Sequence, residues 1–116
     1  MYSPDFAKKK DLATHFMTAY LKAVRLYDNA FLYGSENKDK IAKIMSDYMK
    51  TPVEQLDQMN MPLLDPNGFV DPKAIKSDED WYVEQGSIKQ PISADKVVNS
   101  EFVKAAVEKI GEYKKQ

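Results

Sequence analysis

Asp11 to Tyr33, DLATHFMTAYLKAVRLYDNAFLY, is the stretch that most narrows what this chain can fold into. At about 100° per residue, Leu12, Phe16, Ala19, Tyr20, Ala23, Tyr27, Ala30 and Phe31 fall on one side of a helix. Met17, Leu21 and Val24 widen that side in one direction and Leu26 in the other, giving an apolar arc of roughly 220°. An ordinary surface helix carries a stripe of roughly 100°. Only Asp11, Thr14, Thr18, Lys22, Arg25 and Asn29 form a strip suited to water. A helix this apolar needs neighbours on more than one side. Either the rest of the chain wraps it, or part of its partner lies elsewhere.

The remaining segments also read as helices. Ser3-Pro4-Asp5 is a cap followed by proline at the first helical position, which predicts a short turn over Pro4 to Lys9. Gly34-Ser35 should end the long helix. Asn37 to Lys50 is amphipathic, with Ile41, Ile44, Met45, Tyr48 and Met49 at i, i+3, i+4, i+7 and i+8. Thr51-Pro52-Val53-Glu54 carries a cap, a proline and a capping-box glutamate, predicting a short helix over Pro52 to Gln58 that buries Val53 and Leu56. Asp65-Pro66-Asn67-Gly68 fits a type I turn inside an irregular loop pinned by Leu63, Leu64, Phe69 and Val70. Asp71-Pro72 opens a helix ending at Gly86, and Ala94 to Val98 allows one further turn. Ser100 should cap a last helix to Tyr113, with a stripe of Phe102, Val103, Ala106, Val107 and Ile110. Lys109, Lys114 and Lys115 sit toward its carbonyl end. No period-2 strand is evident. The expected fold is all-α, four to five helices around one long central helix, as a single unit over residues 1–116.

Composition excludes several function classes. Lys+Arg 17 against Asp+Glu 18 leaves a net charge of -1, which gives no electrostatic case for nucleic acid or an anionic membrane. There is no cysteine, hence no disulfide, thiolate metal site or cysteine nucleophile. MYSPDFAKKK contains no apolar signal-peptide core, and no apolar run reaches the ~20 residues of a membrane span.

No catalytic constellation emerges. His15 is the sole histidine and has no orienting partner or fellow metal ligand in sequence. Asp65 to Asp71 has the look of a calcium loop, but Phe69 stands at its fifth place and no glutamate follows at the twelfth. Asp78, Glu79 and Asp80 diverge by ~100° each on a helix and read as a solvated face. Trp81 and Tyr82 read as packing anchors, and the six methionines as packing, not metal ligands. The expectation is no enzyme, no cofactor and no metal.

Several stretches taken in order resemble a known family. These are Tyr2-Ser3-Pro4-Asp5-Phe6-Ala7, then Phe16 to Arg25, Asn37-Lys38-Asp39, Leu64 to Gly68, Trp81 to Gly86 and Phe102 to Ala106. Together they resemble the C-terminal part of ABC-importer solute-binding proteins of the nitrate, taurine and aliphatic-sulfonate group, which includes relatives in thiamine-pyrimidine metabolism. Lys10-Asp11 departs from the proline-containing helix start frequent there. The resemblance implies the C-terminal helical part of a type II periplasmic-binding-protein α/β fold, bracing two lobes. Both sheets and most contacts to a small solute would lie upstream of Met1. It further implies an ABC permease as partner and a periplasmic or membrane-anchored extracellular location. Tyr2, near the interlobe crossing, is the one ligand-binding candidate. The rival expectation is an autonomous helical interaction module, dimeric through the spare face of the long helix. An enzyme of the thiamine-precursor kind ranks last, because His15 stands alone and cysteine is absent. A missing partner should leave an apolar patch around Met17, Leu21 and Val24.

Overall fold

A computed structural model of the chain describes residues 2–34 and 37–114. The described residues form seven helical segments and no strand: α1 (Pro4–Ala7), α2 (Lys10–Phe31), α3 (Lys38–Met49), α4 (Val53–Asp57), α5 (Pro72–Glu84), α6 (Ala94–Val97) and α7 (Glu101–Ile110). The all-α expectation holds. Four of the segments run ten residues or longer and three are single turns.

Local chemistry sets several of the boundaries. Ser3 Oγ accepts from the Phe6 amide at 3.2 Å and starts α1, with Pro4 next. Asp71 Oδ1 accepts from the Lys73 amide at 2.9 Å and starts α5 in the same way. The Asp65 turn forms as its sequence predicts: Gly68 N donates to Asp65 O, while Asp65 Oδ1 accepts from Asn67 N and Phe69 N. Gly34 takes a left-handed φ of 68°, just past α2, whereas Ser35 lies outside the described residues, as does Lys115.

Two caps differ from expectation. Thr51 does not cap α4; its hydroxyl turns back to Met49 O, Pro52 is the N-cap, and the helix begins at Val53. Ser100 makes no capping bond either, because Asn99 Oδ1 takes the Glu101 amide at 2.8 Å.

Packing is organised on α2. It is flanked by α1, α3 and above all α7, while α4 reaches it through α3. The core holds Ala13, Leu21, Val24 and Ala30 of α2, Ala42 of α3, Leu56 of α4, and Phe102, Val103 and Ala106 of α7. Leu21, Gly68 and Val103 meet so closely that a Cβ on Gly68 would lie 2.7 Å from Leu21 Cδ2. Lys10 and Glu101 pair at 2.6 Å across the start of both long helices, and Lys38 pairs with Asp57 at 2.9 Å between α3 and α4.

Two features correct the expected arrangement around one central helix. First, α5 packs against α6 alone among the described helices, and neither helix joins the α2 body. The Cα radius of gyration is accordingly 17.1 Å, against about 13 Å for a compact domain of this length. Second, α7 covers the opposite flank of α2 from the one the wheel favours. Leu21 and Val24 are buried and Met17 half-buried, so no patch surrounds them. Of the strip expected to face water, Asp11 and Lys22 are exposed, whereas Thr14, Thr18, Arg25 and Asn29 are half-buried.

Candidate functional site

Three places could carry function: the bare flank of α2, the polar junction at its C-terminal half, and the α5–α6 arm.

The bare flank follows directly from the choice α7 makes. With Leu21 and Val24 turned inward, most of the rest of the apolar arc faces outward, although Ala30 is buried. Leu12 is 52% exposed, Phe16 57%, Tyr20 47% and Leu26 51%, with Ala19 and Ala23 exposed between them. The spare apolar face therefore exists, but on the side of Phe16 and Tyr20. At one end it merges with an aromatic corner. Tyr2 lies edge-on to Phe6 and Phe16 at 4.9 and 5.9 Å and tilted against Phe102 at 5.3 Å. The Tyr2 hydroxyl donates to Ala13 O at 2.9 Å, and burial pushes its pKa upward. The ligand-binding candidate thus has its hydroxyl engaged in joining α1 to α2, and its ring in joining both to α7.

The polar junction ties three distant segments to α2. Arg25 Nε donates to Pro66 O at 2.9 Å, and Nη2 donates to Asn67 Oδ1 at 3.0 Å and to Gly111 O at 2.7 Å. Asn67 Oδ1 also accepts from the Tyr113 amide at 2.8 Å, while Nδ2 donates to Tyr113 O at 3.3 Å. Tyr113 returns to α2 by donating its hydroxyl to Asn29 Oδ1, and the Arg25 guanidinium sits 5.6 Å from its ring centroid. Tyr27 adds a bond to Pro62 O at 2.9 Å. The guanidinium at the hub satisfies the carbonyls that α7 leaves open at its C-terminus, a favourable place for a cation. The loop and the tail of α7 are clasped to α2 by one arginine and one asparagine.

Next to this clasp lies Asp28, the buried charged residue of the core, with both carboxylate oxygens lacking a hydrogen-bond partner of normal geometry. Desolvation raises its pKa above the usual carboxylate range, and the charge of Asp65 adds to the rise. The backbone amide of Leu64 acts the other way and only partly offsets them. The sequence alone does not single this residue out. Its signal was weak: one acid at the edge of an apolar arc.

On the arm, Trp81 is 55% exposed and Tyr82 48%, their rings edge to face at 5.0 Å. Neither anchors α5 to the body. Of the acidic trio, Asp80 pairs with Lys76 at 2.8 Å, Glu79 is half-buried and Asp78 is exposed. Two open clefts flank α5, and Lys73 and Lys76 line both. His15 is exposed, and no three histidine, cysteine, aspartate or glutamate residues gather as a metal site among the described residues. None of the described helices is long and apolar enough to cross a membrane.

Comparison with protein-family models, with curated proteins and with solved structures finds no match to this chain.

Proposed function

We propose that this chain is the helical C-terminal portion of an ABC-importer solute-binding protein for a small anionic or zwitterionic solute such as a sulfonate, taurine or nitrate. It does no chemistry and needs no cofactor. Its α2 braces the two lobes, which supply the solute contacts, and the assembled protein offers surface to a membrane permease from a periplasmic or membrane-anchored extracellular position. The ordered sequence resemblance motivates the reading. The observation that carries it is the division of α2 into one flank clasped by α7 and one flank, Leu12 to Leu26, that stays largely exposed, with α1 touching only its Phe16 end. A lobe resting on Phe16, Tyr20 and Leu26 would complete a helix that its own chain leaves half dressed.

The reading frame extending upstream of Met1 tests this. It should encode a signal peptide and two α/β lobes, and the product should bind a sulfonate, taurine or nitrate in titration calorimetry. In that product the α2 amides around Phe16 and Tyr20 should exchange more slowly than in the 116-residue chain. A frame without lobes overturns the reading.

The same bare flank also supports an autonomous interaction module that dimerises through α2. Sedimentation of the 116-residue chain separates the two. A tight dimer with a cooperative melt favours the module; a sticky, loosely associating chain favours the braced-lobe reading.

A further inference from the structure

The Asn67–Gly68 step combines a labile dipeptide with a structural knot. It is the chain's single Asn-Gly pair. A glycine after asparagine leaves the next backbone nitrogen unhindered by a side chain. That nitrogen, losing its proton to solvent base, can attack Asn67 Cγ. The new N–C bond closes a five-membered succinimide, the Cγ–Nδ2 bond breaks, and Nδ2 leaves as ammonia. Water then opens the ring at either carbonyl, giving aspartate or isoaspartate.

The fold obliges the chain to keep this pair. Gly68 has φ 71°, and any Cβ there would meet Leu21 Cδ2 at 2.7 Å, so a larger residue is strained and crowded. Asn67 must both accept, from Arg25 Nη2 and Tyr113 N, and donate, to Tyr113 O. An aspartate accepts twice but cannot donate to that carbonyl. The same bonds block the chemistry. Cγ is held through both of its polar atoms, and the attacking nitrogen donates its proton to Asp65 O at 2.9 Å. Cyclisation requires the side chain to swing free of Arg25 and Tyr113, so the clasp must open first.

We infer that Asn67 is the deamidation site of this chain, protected while the Arg25–Asn67–Tyr113 clasp is closed and converted each time it opens long enough. Conversion is one-way. Isoaspartate routes the backbone through the former side chain and lengthens the turn by one atom. Asn67 then no longer reaches Tyr113 and Arg25 together, and the tail of α7 comes loose.

The test incubates the folded chain at neutral to mildly alkaline pH beside the same chain in urea, with peptide mass mapping and isoaspartate assay at Asn67. Conversion in the folded chain should be slower by at least roughly tenfold, in keeping with an opening step before the chemistry. Arg25→Ala, checked for retained helix content, should move the rate several-fold toward that of the unfolded chain. Should that variant fail to fold, amide exchange of Gly68 and Tyr113 in the wild-type chain gives the opening frequency directly. Conversion must then speed up in step with exchange as mild urea is added. Equal rates in folded and unfolded chains, or conversion that ignores the exchange rate, overturns the proposal. The site is internal to the chain, so these outcomes are independent of whether a lobe covers α2.

Discussion

The α2–α7 body and the α5–α6 arm each pair two helical segments, yet only one is locked. In the body, Leu21, Val24, Phe102, Val103 and Ala106 are withdrawn from water, and α7 is tied down again at Arg25, Asn67 and Tyr113. In the arm, no residue of α5 is buried. Its order comes from the Asp71 cap and the Lys76–Asp80 pair, whose side chains are 68% and 51% exposed. Exposed pairs of this kind contribute little, because solvent and salt screen them. The difference lies in what surrounds the apolar residues. The body brackets them with side chains that satisfy backbone carbonyls at its edge, and among the described residues the arm has no equivalent.

That contrast breaks most readily at Leu21. It is fully buried between Gly68 and Val103, so Leu21→Ala should cost about 2–5 kcal/mol in denaturant unfolding. A cost near zero would mean that the body is as loose as the arm.

A smaller effect of opposite sign is expected at Asp28. Its pKa is raised in the fold, so below the ordinary carboxylate range both folded and unfolded states are protonated and no penalty arises. As pH climbs toward the raised value, the unfolded state ionises first and stability falls; above it the loss is constant. Asp28→Asn should flatten this slope and raise stability at neutral pH by about 1–3 kcal/mol, seen in urea melts across pH. Destabilisation at neutral pH would show that the carboxylate has a partner there.

The smallest effect belongs to the arm. Trp81→Ala should move the melting of the body by no more than about 0.5 kcal/mol. The emission of Trp81 should also be that of a solvent-exposed indole. A larger shift would show that the arm is packed on the body.

Much of this was readable in advance, and for local reasons. Ser3, Asp71 and the Asp65–Gly68 turn act within four residues, so composition and spacing reveal them. The stripe of α7 was equally plain, since Phe102, Val103 and Ala106 are the residues it buries. The choice of flank on α2 was not. An arc of roughly 220° is wider than one neighbour can cover, and periodicity cannot say which half is taken. The choice was made by polar residues. Arg25 finds partners 41, 42 and 86 positions away, and Asn29 meets Tyr113 at a separation of 84. With those bonds in place, the Arg25–Asn29 part of the strip suited to water is half-buried and Phe16 and Tyr20 face outward. Asp28 escaped notice for the same reason: its burial is decided by a loop more than thirty residues downstream.

The pairing of α2 with α7 also sets a schedule for synthesis. About 70 residues separate Phe31 from Glu101. At roughly 5–20 residues per second, α2 is complete for about 4–14 s before the helix that covers it begins to emerge. Throughout that interval Leu21, Val24 and the Phe16–Tyr20 flank are without α7, so the nascent chain presents the whole width of the apolar arc of α2 to whatever waits at the ribosome exit.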